Sequence, residues 1–585
     1  MGLWSRAERN AMAEPQSLMK PLFHGVIPEG MVFPFPEASR EEREQTAMIL
    51  DGVRRFVARE VDSARIDREG RIPASVMQGL GAQGLFGLRV PARFGGKGLT
   101  TTSHARVLEE LAGLDGALAL TVGAHGTLGL GPLLLFGTEA QQIKYLPRLV
   151  TGEALAAFAL TEPGAGSDSA GIATRARVVG DGISVQLDGE KCWIANAPAA
   201  EVFTVFARTA DDEGVRPRLT AYLVERGRSL RTGEPEPTHG VRGLSLGSVH
   251  LDGVRVPAAN VLGEVGRGHR VAVEVLNDAR IALAAACVGA CKRLVRLTVE
   301  RCEKRRAFGR SIGEFGLIKD KVARMMSDLY ALESMTYLTA GLADGRRADY
   351  SIESAICKVF GSETLWRIAH EAMQVAGGQG FVQRQPWERL LRDARAMLVF
   401  EGTNEILRAF IALAGMQGPG QRITEVARAI REPIKGFGLL GDFALQMARS
   451  ALGRERLDRA HPALRRETVL FEQYTEQLAR QVDKVLRRHG SEIAEMQFTQ
   501  RRVSALAIDL YGLAATVSRT TRVVERKGED GARRELNLAA AFANGAEQRM
   551  KSVVASFDEN DDELRKGIAT RAYGDGGYPF DVLLS

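Results

Sequence analysis

Three stretches of this chain hold residues whose types and spacing could do chemistry. In Phe400-Glu401-Gly402-Thr403-Asn404-Glu405-Ile406-Leu407-Arg408 a carboxylate stands at the head of a helical pattern, next to a glycine. Taken out of water, such a carboxylate becomes a stronger base and could remove a proton from a weak acid. The alternative is a surface glutamate favoured by the helix dipole. In Phe158-Ala-Leu-Thr161-Glu162-Pro-Gly-Ala-Gly166-Ser167-Asp168 the glycines would let backbone approach a ligand, leaving N–H groups to hold phosphate or a ring edge. The same letters also suit an ordinary polar turn. In Gln374-Val-Ala-Gly377-Gly378-Gln379-Gly380-Phe381 a long helical pattern ends on glycines, which fits either a capped helix or a ligand approach.

The rest of the chain must position these groups. At 585 residues it is too long for one core and suits several domains. Apolar residues make up 45% and charged residues 26%, ordinary for a globular protein. No long unbroken apolar run is present, so no membrane-spanning helix is expected. The net charge of +6, from 78 basic and 72 acidic residues, reads as a mixed solvated surface and argues against nucleic-acid binding. Cys192, Cys287, Cys291, Cys302 and Cys357 lack zinc or redox spacing, so neither a metal site nor a disulfide framework is expected. The start, MGLWSRAERN, has no apolar core, places Arg6 where acylation needs Ser or Thr, and carries an early acid. It therefore reads as no leader, and a bacterial cytoplasm is the simplest location.

Residues 1–40, with Pro21, Pro28, Pro34 and Pro36, read as an irregular segment. From 41 to 154 the pattern is helical: Ser39 is a candidate N-cap, and 102–136 is apolar on nearly every side, a buried helix pair. Over 155–262 short β-branched runs alternate with turns, Asp181-Gly182 among them, and read as a compact β-domain. Helices resume over 263–418, where Ile318, Val322, Met325, Leu329 and Leu332 form a bundle-core stripe. A helical extension follows over 419–585, with helices expected near 465–488, 495–520 and 531–556. Helices and strands segregated along the chain imply an α+β fold, mostly α, and no GxGxxG follows a strand to suggest a doubly wound sheet.

Together the three stretches resemble the acyl-CoA dehydrogenase family. PARFGGKGL (91–99), GTEAQQIKYLP (137–147), VPAANVLGEVGRG (256–268) and Arg305-Arg-Ala-Phe308-Gly309 resemble it too, in the right order. This covers 41–415, while HPALRRETVLFEQY (461–474) and IDLYGLAATVSR (508–519) are similar to the very-long-chain branch. The resemblance implies an N-terminal helical domain, a middle β-barrel-like domain, a C-terminal four-helix bundle and an extra C-terminal helical domain. It implies FAD: Phe158, Leu160, Thr161 and Ser167 match the loop that touches it, Trp193 lies against the flavin, and Ala195 stands beside it. Arg305 and Phe308 match residues reaching the FAD of a neighbouring subunit, Gln374, Gly377 and Gly378 its adenosine end, and Thr403 and Glu405 the cofactor beyond Glu401. A homodimer follows from that shared site.

The reaction implied is α,β-dehydrogenation of a long- or very-long-chain acyl-CoA to the trans-2-enoyl-CoA, in fatty acid β-oxidation. Glu401 would take the α-proton, the β-hydrogen would leave as hydride to flavin N5, and electrons would pass to an electron-transfer flavoprotein. The Glu401 N–H and a ribityl hydroxyl would stabilise enolate-like charge. Ser167, Asp278, Arg280 and Gly402 would lie near the substrate. Some family members carry the base beside the Arg that Arg280 matches; here that neighbour is Ala279, which cannot abstract a proton.

Five positions depart from the family pattern. Ala195 replaces a hydroxyl that bonds the flavin, worth about 0.5–1.5 kcal/mol; Ala197-Pro198 stiffens the next turn; Lys319 and Arg384 also differ. Along 120–131, Gly123, Ala124, Gly126, Gly129 and Gly131 would leave depth for a long acyl chain, or else permit close helix packing. In the extension, Phe437, Leu440, Phe443, Ala444, Met447, Ala448 and Leu452 give an apolar face in a basic setting of Arg431, Lys435, Arg449, Arg454 and Arg456. Such a helix would lie peripherally on the inner face of a bacterial membrane, or pack on its own domain. An acyl-CoA oxidase, and a non-catalytic scaffold or assembly protein keeping the fold, are the alternatives.

Overall fold

The computed structural model of the protein describes residues 17–180, 183–209, 218–345, 348–431 and 456–583. The Asp181-Gly182 turn and the apolar face from Phe437 to Leu452 lie outside the described residues.

Helix α1 (Arg40–Glu60) starts at its expected cap, the Ser39 hydroxyl accepting the Glu42 N–H at 3.1 Å. Its Leu50, Val53, Phe56 and Val57 recur at helical spacing and are buried. After α2 (Thr101–Leu114) comes α3 (Gly116–Gly123), which widens into one π turn (Ala124–Gly129) before α4 (Gly131–Phe136). The segment Gly116–Phe136 is long and apolar enough to cross a membrane by length and composition, but 61% of its most apolar stretch is buried inside the fold, as expected of a buried helix pair. Glycine, threonine and histidine interrupt its apolar run without making it polar overall.

The glycines of this segment divide into two kinds. A Cβ on Gly129 would lie 2.7 Å from the Ala156 carbonyl oxygen, so this glycine lets the π turn press against the sheet. At Gly123, Gly126 and Gly131 a Cβ would make ordinary contacts of 3.7, 3.6 and 3.4 Å, so close packing does not demand glycine there.

Eight strands follow: β1 (Leu155–Ala159), β2 (Arg175–Val179), β3 (Ser184–Ala195), β4 (Ala200–Thr209), β5 (Arg218–Glu225), β6 (Leu230–Thr232), β7 (Leu246–Pro257) and β8 (Val261–Leu262). They form one sheet in the order β6-β7-β3-β2-β4-β5-β8, with β1 parallel to β4. β3 and β7 pair antiparallel from Ser184↔Pro257 to Ala195↔Leu246, and the register shifts between Lys191 and Ile194. That bulge turns Trp193 outward at φ +54° and leaves it 60% exposed.

The second helical region is a bundle of α5 (Gly268–Lys304), α6 (Gly316–Asp344), α7 (Ser351–Ala376) and α9 (Asn404–Arg431), with α8 (Pro386–Met397) preceding the last. In α6 Met325, Leu329 and Leu332 of the expected stripe are buried, and Ile318 and Val322 are half-buried. Helices α10 (Arg465–His489), α11 (Gln497–Gly531) and α12 (Arg533–Ala555) pack as an extension on α6 and α9. The whole is the mostly helical α+β architecture expected: helical domain, sheet domain, helical domain, helical extension.

Residues 17–37 depart from the irregular segment expected of them. Met19–Leu22 and Glu29–Val32 are single helical turns, and Leu18, Met19, Leu22, Phe23, Ile27 and Val32 are buried. Single turns are too short to show periodicity in sequence, and long-range contacts hold these in place. The Met19 N–H and Ser17 hydroxyl donate to Glu353 at 2.8 and 3.0 Å, Arg459 to the Phe33 carbonyl at 2.9 Å, and Arg522 to the Pro36 carbonyl at 2.6 Å.

The two kinds of glycine predict different tolerances. Gly129→Ala is expected to destabilise by about 1–3 kcal/mol, as overpacking does, and Gly126→Ala to leave the thermal midpoint nearly unchanged. Equal midpoints for the two variants would show that neither glycine is there for packing.

Candidate active site

Glu401 lies in the turn between α8 and α9 at φ +58°, a conformation strained for any residue with a Cβ. The strain persists because two buried cations grip the backbone around it. Arg280 of α5 donates through Nε to the Glu401 carbonyl at 3.2 Å and through Nη1 to Asn277 at 3.0 Å. Lys358 of α7 is fully buried and donates to the Gly402 carbonyl at 2.7 Å, the Leu398 carbonyl at 3.2 Å and Asn404 Oδ1 at 2.7 Å. Asn404 is fixed in turn by its amide, which donates to the Ser362 hydroxyl at 3.0 Å.

The Glu401 side chain itself is left free. Among the described residues its carboxylate has no hydrogen bond or ion pair, and its N–H has no acceptor. Burial pushes the carboxyl up to about 7, against the opposing pull of Arg280 and Lys358. Burial lowers Arg280 to about 10 and Lys358 to about 8, so both remain cations at neutral pH. A half-buried carboxylate with free lone pairs, basic near neutrality and beside its own unused N–H, is equipped to take a proton from carbon and to face the resulting negative charge.

The Phe158–Asp168 stretch runs from β1 into a loop bound to the β3 bulge. The Cys192 N–H donates to the Thr161 carbonyl at 3.0 Å, and the fully buried Lys191 donates to the carbonyls of Leu160 and Phe206 at 3.2 and 2.7 Å and to Glu162 at 2.8 Å. Burial tends to raise Glu162, but Lys191, Thr174 and the Ala173 N–H together hold it below the ordinary carboxylate value; burial takes Lys191 down to about 8. Phe158 is buried, Leu160, Thr161 and Ala195 are half-buried, and Ser167 is exposed. Asn196, at φ +63°, ties this bulge to α3 by donating to the Thr121 carbonyl at 3.2 Å.

These residues fit a flavin nucleotide. Trp193 is held out at the bulge with its ring uncovered, the buried Thr121 hydroxyl has no partner among the described residues, and a Cβ on Gly164 or Gly166 would meet nothing within 4 Å. The cradle is open where a ring system and phosphates need room.

The remaining candidates divide between those joined to this centre and those set apart. Arg280 and Gly402 belong to the Glu401 turn, and Thr403 and Glu405 follow it, Thr403 half-buried and Glu405 exposed. Asp278 is occupied by protein groups, accepting from Arg89 at 2.5 Å and from the Tyr350 hydroxyl at 2.7 Å. Arg305 and Phe308 sit on a small hairpin (Arg306–Ala307 with Arg310–Ser311), Phe308 at φ +50° and 93% exposed. Gln374, Gly377 and Gly378 are exposed at the end of α7. Among the described residues no hydrogen bond or ion pair joins this hairpin or helix end to the Glu401 centre. Sequence reasoning missed Lys358, Asn404, Asn277 and Lys191. The available signal was a lysine at 358 amid Ala355, Ile356, Cys357, Val359 and Phe360, all buried.

Comparison with known proteins places this fold in a family. Family models match as acyl-CoA dehydrogenase N-terminal domain over 43–153, middle domain over 157–254 and C-terminal domain over 266–416, and as the ACAD9/ACADV C-terminal domain over 462–576. The mitochondrial very long-chain specific acyl-CoA dehydrogenase of Macaca fascicularis is 39% identical over 560 residues, covering 94% of this chain and 85% of that protein. An acyl-CoA dehydrogenase of Bacillus anthracis, solved with FAD, superposes with a TM-score of 0.80 at 29% identity, covering 95% of this chain and 94% of that one. A chain from a structure described as the electron transferring flavoprotein of Acidaminococcus fermentans superposes at 0.61 with 30% identity, covering 65% of this chain and 98% of that one.

Removing one member of the buried pair beneath the loop is expected to be severe. Lys191→Met leaves Glu162 without its cation, which costs about 3–5 kcal/mol. The ratio of visible to ultraviolet absorbance after gel filtration should show the variant losing flavin that the wild type keeps; full retention would mean that the pair does not support the loop.

Proposed function

The chain belongs to the acyl-CoA dehydrogenase family and is a flavin-dependent enzyme acting on acyl-CoA, and from that premise we propose that Glu401 is its catalytic base. The observation that carries this reading is the unpaired Glu401 carboxylate, raised to about 7 by burial, beside its own free N–H.

The α-hydrogen of a thioester is a weak acid, so its removal needs a base poised near the working pH and a donor for the oxygen that gains charge. Glu401 supplies both: the carboxylate accepts the α-proton, and the N–H of the same residue faces the thioester oxygen. Arg280 and Lys358 act on the backbone and leave the carboxylate lone pairs free. Trp193 and the Thr161 loop align the other reacting carbon against the cofactor. FAD, when bound, supplies the two-electron acceptor for the β-hydrogen. The product is the trans-2-enoyl-CoA, and an electron-transfer flavoprotein is the acceptor in keeping with the family.

Substrate length and assembly belong to the same reading. Gly123 and Gly126 are small without any packing need, Ala124 is half-buried beside them, and together they favour a long or very long acyl chain. Phe308 stands uncovered on a hairpin apart from its own Glu401 centre, which suits a homodimer in which Arg305 and Phe308 reach the cofactor of the other subunit. Peripheral membrane contact rests on the sequence of 431–456 alone.

Anaerobic mixing with palmitoyl-CoA is expected to bleach the flavin of the wild type and leave that of Glu401→Gln oxidised. A Glu401→Gln variant that bleaches at the wild-type rate would remove Glu401 from the mechanism. Because the base must be ionised, kcat/KM should rise with pH through a limb near about 7. A profile flat from the acid side through neutrality would contradict a raised carboxyl.

A further inference from the structure

We propose that Lys358 is the positioning residue for the base: its ammonium, locked among acceptors on both sides of Glu401, holds the strained turn and supplies a fixed positive charge that the carboxylate feels without being paired to it. The inference rests on Glu401 being the base.

Three features carry it. The first is placement. Lys358 donates to carbonyls at 398 and 402 and to the side chain at 404, so one ammonium spans the backbone before, beside and after residue 401. All three of its protons are used, and none goes to the carboxylate. The second is that the site calls for donors but not for a charge. Lys358 lies fully buried, with Ser354, Ala355, Gly361 and Ser362 on the same helix face, and desolvating its charge is costly. Holding the turn together could be done by neutral donors; a lysine adds charge.

The third is the charge balance around it. Lys358 is faced by Cys287 and Arg280 from α5, by Glu363 on its own helix and by Glu401. Cys287 is a neutral thiol, pushed up to about 12 by burial. Glu363 is already paired, both of its oxygens accepting from Arg408 at 2.9 Å. Among these groups the counter-charge left to Lys358 is Glu401. An ion pair would steal the lone pairs that must accept the substrate proton, whereas a cation bound to the neighbouring carbonyls stabilises the ionised form and leaves them open. Arg280 does the same from the other side through the Glu401 carbonyl. The strained φ and the free carboxylate thus have one common support.

The test is the anaerobic rate of flavin bleaching by palmitoyl-CoA across neutral and alkaline pH, for wild type, Lys358→Met, Lys358→Gln, Lys358→Arg and Glu401→Gln. Lys358→Met is expected to lower the limiting rate about 10²-fold, the scale of a misplaced reacting group, with the concentration dependence on acyl-CoA unchanged. Its ascending limb should move to higher pH, because a cation that favoured the ionised carboxylate has gone, and Lys358→Arg should move it back. A Met variant with full flavin, wild-type rate and unmoved limb would reduce Lys358 to a structural residue. If the Met variant fails to fold, the wild type and Lys358→Gln decide. The wild-type rate should fall as pH rises past about 8, where Lys358 loses its proton, and the neutral Gln variant should lack that fall. A Gln variant with both wild-type limbs overturns the proposal. Activity in Glu401→Gln would sink the assignment of the base instead, and inactivity there with unmoved Lys358 variants would sink only this inference.

Discussion

A carboxylate that must take a proton from carbon has to be dry without being paired. Water would weaken it as a base, and a direct ion pair would occupy the lone pairs it needs. Glu401, the proposed base, is half-buried and unpaired through an indirect arrangement: Arg280 and Lys358 contact the peptide groups around it, and its oxygens touch neither. The consequences spread outward. The turn takes a left-handed conformation that only outside support can maintain, the two cations must come from helices packed on either side, and α5 and α7 must be long and mostly apolar to bring single charges that deep.

The sheet domain repeats this device. Lys191, like Lys358, is a fully buried lysine that donates to a backbone carbonyl of a candidate ligand loop, here that of Leu160. The difference is instructive. Under the loop the lysine also forms a direct ion pair with Glu162 at 2.8 Å, because that carboxylate serves only to hold Thr174, Ala173 and the chain around them. Where the carboxylate is proposed to react, the pair is withheld.

Long elements with a clear period were legible in the sequence. The cap at Ser39, the core positions Met325, Leu329 and Leu332, the strand-rich middle and the three helices of the extension could be read from spacing and turn residues. So could the prominence of Glu401, because a motif places it beside a glycine at a helix start. Its environment could not. Lys358 is distant in sequence from the turn it grips, and a lysine in an apolar helix reads as a long side chain reaching for water. The bulge that exposes Trp193 leaves no local mark, since the register of β3 is set by its partner β7. Gly126 and Gly129 are the same letter, and only the strand lying against one of them separates their roles. Residues 17–37 show no period because their two helical turns are short and their order is mostly tertiary.

That last feature bears on the life history of the molecule. Residues 17–37 are anchored to Glu353 and to Arg459, Ser518, Arg522 and Arg526, partners more than three hundred residues further along. On the ribosome this stretch emerges early, carrying Leu18, Leu22, Phe23 and Phe33 into solvent, and its seat does not exist until the extension has been made. An apolar segment kept waiting through the synthesis of nearly the whole chain is a natural client for holding chaperones. Its docking would also be among the final steps of maturation, closing over a bundle and an extension that have already met.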